Sequence, residues 1–319
     1  MKPIIAILLA IAMVSAVVMA NEPTTQPAQA TSAPSDDAPK TIERQYPRLA
    51  SGCLLQAGTR QLAEGVLLRC GEIRITQKEL DEEIAKANQA LQDQLRKNAF
   101  FLLEQIAIQR LLLAEARVSL TKAKVDVAAM SDQQIIQAHL SRLVKDVAVV
   151  DAEARAFYEQ NKGMVGGATF EQVEKQIRQY LLGQKKQEAV NDHIATLGKR
   201  MKIEVDTAWA KKQATLAAES PVDKVRGNGR PSLVNFSSKG CRPCHMLAPI
   251  LETLKAKYEG KANVVSISVQ EEQILSARYG IGAVPAQIFF DKDGKEVFRH
   301  TGYWPQEELE KKLADMGVK

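Results

Sequence analysis

The chain has 319 residues, of which 45% are hydrophobic and 25% charged, with 43 Lys and Arg against 38 Asp and Glu. This composition excludes a mainly disordered chain, and the length predicts about two globular domains. The formal charge of +5 is not concentrated in a Lys/Arg tract, which argues against a nucleic-acid partner.

The N-terminus has the pattern of a secretory signal. An apolar run over residues 4–18 follows a basic residue and ends close to the small residue Ala20, as before a signal-peptidase site. We therefore predict a signal peptide over residues 1–20, cleaved after Ala20, and a periplasmic or secreted location. A membrane-anchored protein with an uncleaved signal is the alternative, although the run is short for a spanning helix.

A mainly helical region follows a polar linker. Residues 21–40 are rich in Pro, Thr, Ala, Ser and Gln, which predicts a disordered linker. A hairpin predicted over 66–75 leads into the capping box Thr76-Gln77-Lys78-Glu79, which opens a helix. Apolar periodicity predicts further helices at 98–120, 132–147, 151–161 and 170–200 and a short strand at 202–205.

Three segments of this region carry a family resemblance: 75–81, 150–158 and 170–181. Through them residues 60–206 resemble the N-terminal chaperone domain of SurA-like, parvulin-type periplasmic folding factors. The resemblance implies an all-α, mainly helical domain over 41–206 that holds unfolded client chains. Where relatives often carry an isomerase domain this chain has only a short stretch, so we expect no prolyl isomerase activity. A dimerisation role would also explain the apolar helices.

Cys53 and Cys70 stand seventeen positions apart. In an oxidising compartment such a pair predicts a structural disulfide, which would contribute roughly 3 kcal/mol by chain entropy. The alternative is that they relay electrons to another dithiol. It is less favoured because the pair lacks the two-residue spacing and the helix start of a redox site.

The chemistry of the chain is concentrated in Cys241-Arg242-Pro243-Cys244, between an apolar run and a segment with helical periodicity. At a helix N-terminus, free N–H groups and the helix dipole favour a thiolate. We therefore predict Cys241 as the nucleophile and Cys244 as the resolving thiol. Pro243 suits the first turn of the helix.

With His245 the same residues also match the attachment signature of c-type haem. Their context favours dithiol chemistry, because the predicted elements follow the order β-α-β-α-β-β-α and include a hairpin near the C-terminus. Through this order and the Cys241/Cys244 spacing, residues 215–319 resemble thioredoxin-like proteins. The resemblance implies an α/β domain, placed at 207–319, and a cis Val284-Pro285 peptide where extended substrate backbone docks.

Several residues depart from the family pattern at positions that tune redox behaviour. Gly240 stands where Trp is usual and Arg242 where Gly is common, while Asn235 and Ser266 replace a buried carboxylate and its lysine partner. Arg242 favours the thiolate and hence an oxidising pair, whereas Pro243 is similar to the reducing members. The direction of electron flow therefore stays open.

These patterns predict a multidomain protein, a helical domain followed by a thioredoxin-like domain, that acts as an extracytoplasmic protein disulfide reductase or isomerase. Its expected partners are unfolded or disulfide-bearing protein clients and a redox partner, with a homo-oligomer left open. The alternative is a non-enzymatic chaperone or adaptor that binds peptide near Pro285. We expect no cofactor and no metal, since the histidines lack ligand spacing: His139, His193, His245 and His300.

Overall fold

The computed structural model describes residues 40–49, 52–162 and 165–319. The predicted signal peptide and the linker as far as residue 39 lie outside the described residues. The chain divides into two compact units, one made of the described residues up to Ile106 together with Met201–Lys319, the other of Ala107–Arg200. Within the described ranges, no helix is long and apolar enough to cross a membrane.

The first unit contains a small mixed sheet. Its strands are β1 (Gly58–Arg60), β2 (Val66–Cys70), β3 (Ile73–Thr76) and β4 (Glu204–Asp206), in the order β1-β4-β2-β3. Strands β2 and β3 pair antiparallel, which confirms the predicted hairpin, and β4 lies parallel to β1 and antiparallel to β2. The helices beside this sheet are α1 (Ile42–Gln45), α2 (Gln77–Ala85), α3 (Gln89–Lys97) and the start of α4 (Ala99–Lys122).

The predicted capping box begins α2. The Thr76 hydroxyl accepts the Glu79 backbone N–H at 3.2 Å, and the Glu79 carboxylate accepts the Thr76 N–H at 2.7 Å. Two N–H groups that lack intrahelical partners are thereby satisfied. The hairpin therefore passes directly into the helix.

The second unit consists of helices. They are the rest of α4, α5 (Asp132–Leu143), α6 (Asp151–Gln160) and α7 (Phe170–Arg200). Helices α4 and α5 share an apolar cluster around Leu120 and Ile135. Helices α6 and α7 share another, around Ala154, Phe170 and Ile177. The helices predicted from periodicity in this region are confirmed.

The C-terminal part of the first unit is an α/β domain with a four-stranded sheet. It comprises α8 (Thr207–Ala218), α9 (Pro221–Arg226), β5 (Ser232–Ser237), α10 (Arg242–Lys257), β6 (Asn263–Ser268), α11 (Gln273–Arg278), β7 (Ala286–Phe290), β8 (Glu296–Thr301) and α12 (Gln306–Asp315). The sheet order is β6-β5-β7-β8, with β5 parallel to β6 and antiparallel to β7. From β5 onward this is the predicted order of elements. The predicted fold class, a mainly helical region followed by an α/β domain, is confirmed.

Strand β5 is the central support of this domain. Leu233 packs into an apolar cluster with α10 and α12, and Val234 and Phe236 pack into a second cluster with α11. A strand covered on both faces is apolar along most of its length. Core packing therefore holds the end of β5 and the first turn of α10 in place.

A buried ion pair joins the α/β domain to residues that precede the second unit. The Asp223 carboxylate is fully buried and accepts hydrogen bonds from Arg278 at 2.7 Å and from the Tyr279 hydroxyl at 2.8 Å. Arg278 also donates to the Arg48 carbonyl and to the Asn98 side chain. Residues before 107 thus pack with the α/β domain in one compact unit, whereas the sequence predicts a domain boundary at 206.

Candidate functional site

The site lies where β5 passes into α10. Cys241 and Cys244 are joined by a disulfide, with their Cα atoms 5.2 Å apart. Cys241 is partly exposed, whereas Cys244 is buried. Cys241 is therefore the more accessible residue of the pair, and its role as the nucleophile stays a prediction.

Cys241 occupies the N-cap position of α10. The Cys244 backbone N–H points at the Cys241 sulfur, 3.2 Å away, and Pro243 lies in the first turn of the helix. In the reduced protein this N–H and the helix dipole would stabilise a thiolate on Cys241. Arg242 is exposed, so solvent screens the effect of its charge on the dithiol.

The loop before Cys241 is held by polar contacts. The ring nitrogen Nε2 of His245 lies 2.7 Å from the Lys239 carbonyl oxygen. Gln270 accepts the Lys239 N–H at 3.2 Å and donates to the Ser238 hydroxyl at 2.9 Å. These bonds fix the chain that delivers Cys241 to the helix.

The predicted substrate-binding residues lie next to the dithiol. The Val284-Pro285 peptide bond is cis, as expected, and the Val284 carbonyl oxygen is 3.6 Å from the Cys241 sulfur. Pro285 is buried, and its own carbonyl accepts the Gly302 N–H at 2.8 Å. The fold thus brings two distant segments of the chain together at one sulfur atom.

Neutral side chains stand at Asn235 and Ser266, the two positions where the resemblance leads us to expect an ionisable pair. Asn235 on β5 is buried and accepts a hydrogen bond at 3.2 Å from the side chain of Gln287 on β7. Ser266 is the neighbour of Asn235 across the β5–β6 pairing. Neither residue can take up or release a proton near neutral pH.

Cys53 and Cys70, for which the sequence predicts a disulfide, are separate buried thiols in the structure. Burial, with smaller contributions from Glu104 and Cys70, raises the pKa of the Cys53 thiol to about 12. Burial also raises the pKa of Cys70. The bond is absent, and the pair is held as protonated, apolar core residues instead.

The sequence pattern does not reveal a cluster of one acidic residue and two histidines. Glu115, His139 and His193 lie far apart along the chain but meet in the second unit. Each comes from a different helix, so no short spacing between them could reveal the cluster. The helical periodicity that predicts α4, α5 and α7 does not fix which of their faces meet.

Comparison with known proteins places the similarity in the α/β domain. Residues 219–317 match the family model described as "Thioredoxin-like domain". The chain is 43% identical over 77 residues to the thioredoxins of Staphylococcus aureus strains Mu50 / ATCC 700699, MW2 and N315. These 77 residues make up 24% of this chain and 73% of each relative. The resemblance of residues 60–206 to SurA-like factors stays a prediction.

Proposed function

The chain belongs to the thioredoxin family through its C-terminal part, and from this premise we propose that it is an extracytoplasmic protein disulfide reductase or isomerase. The observation that carries the proposal is the Cys241–Cys244 pair at the start of α10, with its accessible sulfur beside Val284. The thiol-disulfide oxidoreductase kind of function follows from the family and the dithiol. The substrate class, the location and the client-holding role are the proposed part.

The reaction begins from the reduced dithiol. The Cys241 thiolate attacks one sulfur of a client disulfide, a mixed disulfide forms, and the other client sulfur leaves as a thiolate. Cys244 then attacks the Cys241 sulfur, which restores the Cys241–Cys244 bond and releases the second client sulfur. The client gains two electrons that the dithiol loses, and a dithiol-bearing redox partner must return them. In isomerisation a client thiol resolves the mixed disulfide and no net electrons move.

The second unit offers a surface that supports client binding. An open groove of about 550 Å³ runs between α7 and the segment before α6. Val147, Val149 and Leu182 give it apolar surface, and the remaining lining includes charged side chains of α7. Val150, next to this groove, leaves 57% of its surface exposed. Apolar side chains in an open groove suit extended, unfolded client chains.

The location rests on the N-terminal sequence. A signal peptide cleaved after Ala20 would export the chain to a compartment where disulfides persist and wrong ones need correction. N-terminal sequencing of the mature protein tests this. A mature chain that starts at Asn21 supports export, and one that retains Met1 in the cytoplasm contradicts it.

Two cysteine variants test the activity. Cys241→Ser should abolish reduction of a disulfide-bonded client, and Cys244→Ser should accumulate a mixed disulfide through Cys241. If Cys241→Ser keeps full activity toward clients and Cys244→Ser traps nothing, the protein is a non-enzymatic chaperone or adaptor. The reduction potential of the Cys241/Cys244 pair shows whether the protein reduces or oxidises its clients. A value of about −120 mV, typical of a strong oxidant, contradicts the reductase and isomerase assignments.

A matched pair of surface variants tests the client-binding groove. Val150→Glu should weaken suppression of aggregation of a reduced, unfolded client, because it replaces an exposed apolar side chain next to Val149 of the groove with a charge. Val118, with the same 57% exposure on α4, gives the control Val118→Glu. Equal chaperone activity in the two variants would rule out this groove.

A further inference from the structure

Three side chains of the second unit converge on one point. Glu115 lies on α4, His139 on α5 and His193 on α7, and their nearest ligand-type atoms are all within 4.8 Å of one another. The Glu115 Oε2 atom is 2.6 Å from the Nε2 atom of His193 and 3.5 Å from the Nε2 atom of His139. A single carboxylate oxygen thus faces two imidazole nitrogens.

His139 has a buried nitrogen that points into this cluster. Its side chain is only 10% exposed. Its Nε2 atom has no hydrogen-bond partner among the described residues. Buried polar atoms are nearly always paired, and an unpaired one calls for a bound water or ion. The nitrogen is therefore available to a ligand that enters between the three helices.

The charge of Glu115 suits a cation. Arg200 binds the other carboxylate oxygen, Oε1, at 2.8 Å. Oε2 therefore stays directed at the two histidines, where a carboxylate oxygen can act as a metal ligand.

We propose that Glu115, His139 and His193 bind a divalent transition-metal ion, for which Zn²⁺ is the best match. Two imidazole nitrogens and one carboxylate oxygen are zinc ligands. In a tetrahedral site with bonds of about 2.0–2.1 Å, neighbouring ligand atoms are about 3.3 Å apart. The His139–Glu115 distance already fits, and the His193–Glu115 hydrogen bond lengthens when the metal replaces its proton. Water completes the fourth position.

Such a site would tie α4, α5 and α7 together in the second unit, a role separate from that of the dithiol. Metal binding favours the folded state that presents the ligands. The three ligands come from segments that are distant in sequence, so the site cannot form in the unfolded chain. We therefore expect Zn²⁺ to raise the melting temperature.

The test is a Zn²⁺ titration of the full chain against a chromophoric chelator, after removal of metals with EDTA. The Cys241–Cys244 disulfide is kept oxidised, because reduced thiols would also bind zinc. We expect one equivalent of Zn²⁺ per chain and an increase in melting temperature. Removing a residue that only hydrogen-bonds to a metal ligand lowers metal affinity about 10–100-fold. His139→Gln and His193→Gln remove the ligands themselves, so each should lower zinc affinity at least as much.

A histidine outside the cluster provides the matched control. His245→Gln removes an exposed imidazole and should bind zinc as the wild type does. Far-UV circular dichroism checks that each variant folds. The wild type with Co²⁺ gives a second readout that needs no variant: visible bands of tetrahedral nitrogen and oxygen ligation support the site, and an intense sulfur-to-cobalt band contradicts it. Absence of stoichiometric zinc binding by the wild type, or wild-type zinc affinity in both histidine variants, overturns the proposal.

Discussion

Cys241 caps a helix and reaches solvent, whereas Cys53 and Cys70 are enclosed by the core of the same compact unit. An N–H group directed at sulfur stabilises the thiolate of a reduced cysteine, and removal from water destabilises it. Nucleophilic reactivity follows the fraction of thiolate. The surroundings of each sulfur therefore separate the reactive pair from the inert one.

This contrast predicts selective alkylation at the residue scale. With a pKa of about 12, Cys53 is essentially all thiol at pH 8. After reduction by dithiothreitol, iodoacetamide should modify Cys241 rapidly and leave Cys53 unmodified until the protein unfolds. Peptide mass spectrometry over a time course measures both rates in one sample. Modification of native Cys53 at the rate of Cys241, or a Cys53–Cys70 disulfide in the untreated protein, would contradict the prediction.

The β7–β8 turn contains one tightly constrained backbone position. Gly294 has φ +76°, and a Cβ atom there would overlap the carbonyl oxygen of Arg226. Arg226 in turn donates to the Gly294 carbonyl at 2.9 Å. Glycine at this position lets the hairpin pack closely against α9.

Gly294→Ala should therefore destabilise the protein by more than the conformational cost alone. A left-handed conformation costs a non-glycine residue roughly 1–2 kcal/mol, and the overlap with Arg226 adds to it. Gly229 is the matched control, because it has φ +78° and no atom within 4 Å of its Cβ position. Urea unfolding measures the free energy of unfolding of both variants. If Gly294→Ala loses no more than Gly229→Ala, the close approach of Arg226 does not add to the cost.

Local patterns predict elements well in this chain. The capping box at Thr76 and the individual strands and helices around the dithiol both depend on neighbours in sequence, and the structure contains both. The Glu115–His139–His193 cluster and the Asp223–Arg278 pair depend on which helix faces meet, and periodicity does not encode this. The Cys53–Cys70 disulfide was expected from compartment and spacing, but neither of these determines whether two buried sulfurs bond.

At the scale of the whole molecule, the Asp223–Arg278 pair connects the α/β domain with residues that precede the second unit. Asp223→Asn should destabilise the protein by about 3–5 kcal/mol, because it leaves the buried Arg278 guanidinium without its counter-charge. Glu271 forms a pair with Lys239 in which both side chains are more than half exposed. Glu271→Gln is the control and should cost at most about 1 kcal/mol. If both variants lose the same free energy of unfolding in urea, the buried pair stabilises the protein no more than the exposed one.

Alkaline pH should weaken the folded state through the same buried network. Burial and the Asp223 carboxylate raise the pKa of Tyr279 from 10.0 to about 12. Because the folded pKa lies above the unfolded one, the stabilising contribution is complete below pH 10 and is lost as the pH rises toward 12. The free energy of unfolding should therefore fall more steeply over this window in the wild type than in Tyr279→Phe, which has no phenol to ionise. Urea unfolding at successive pH values gives both slopes, and parallel curves would show that Tyr279 does not contribute to the alkaline loss.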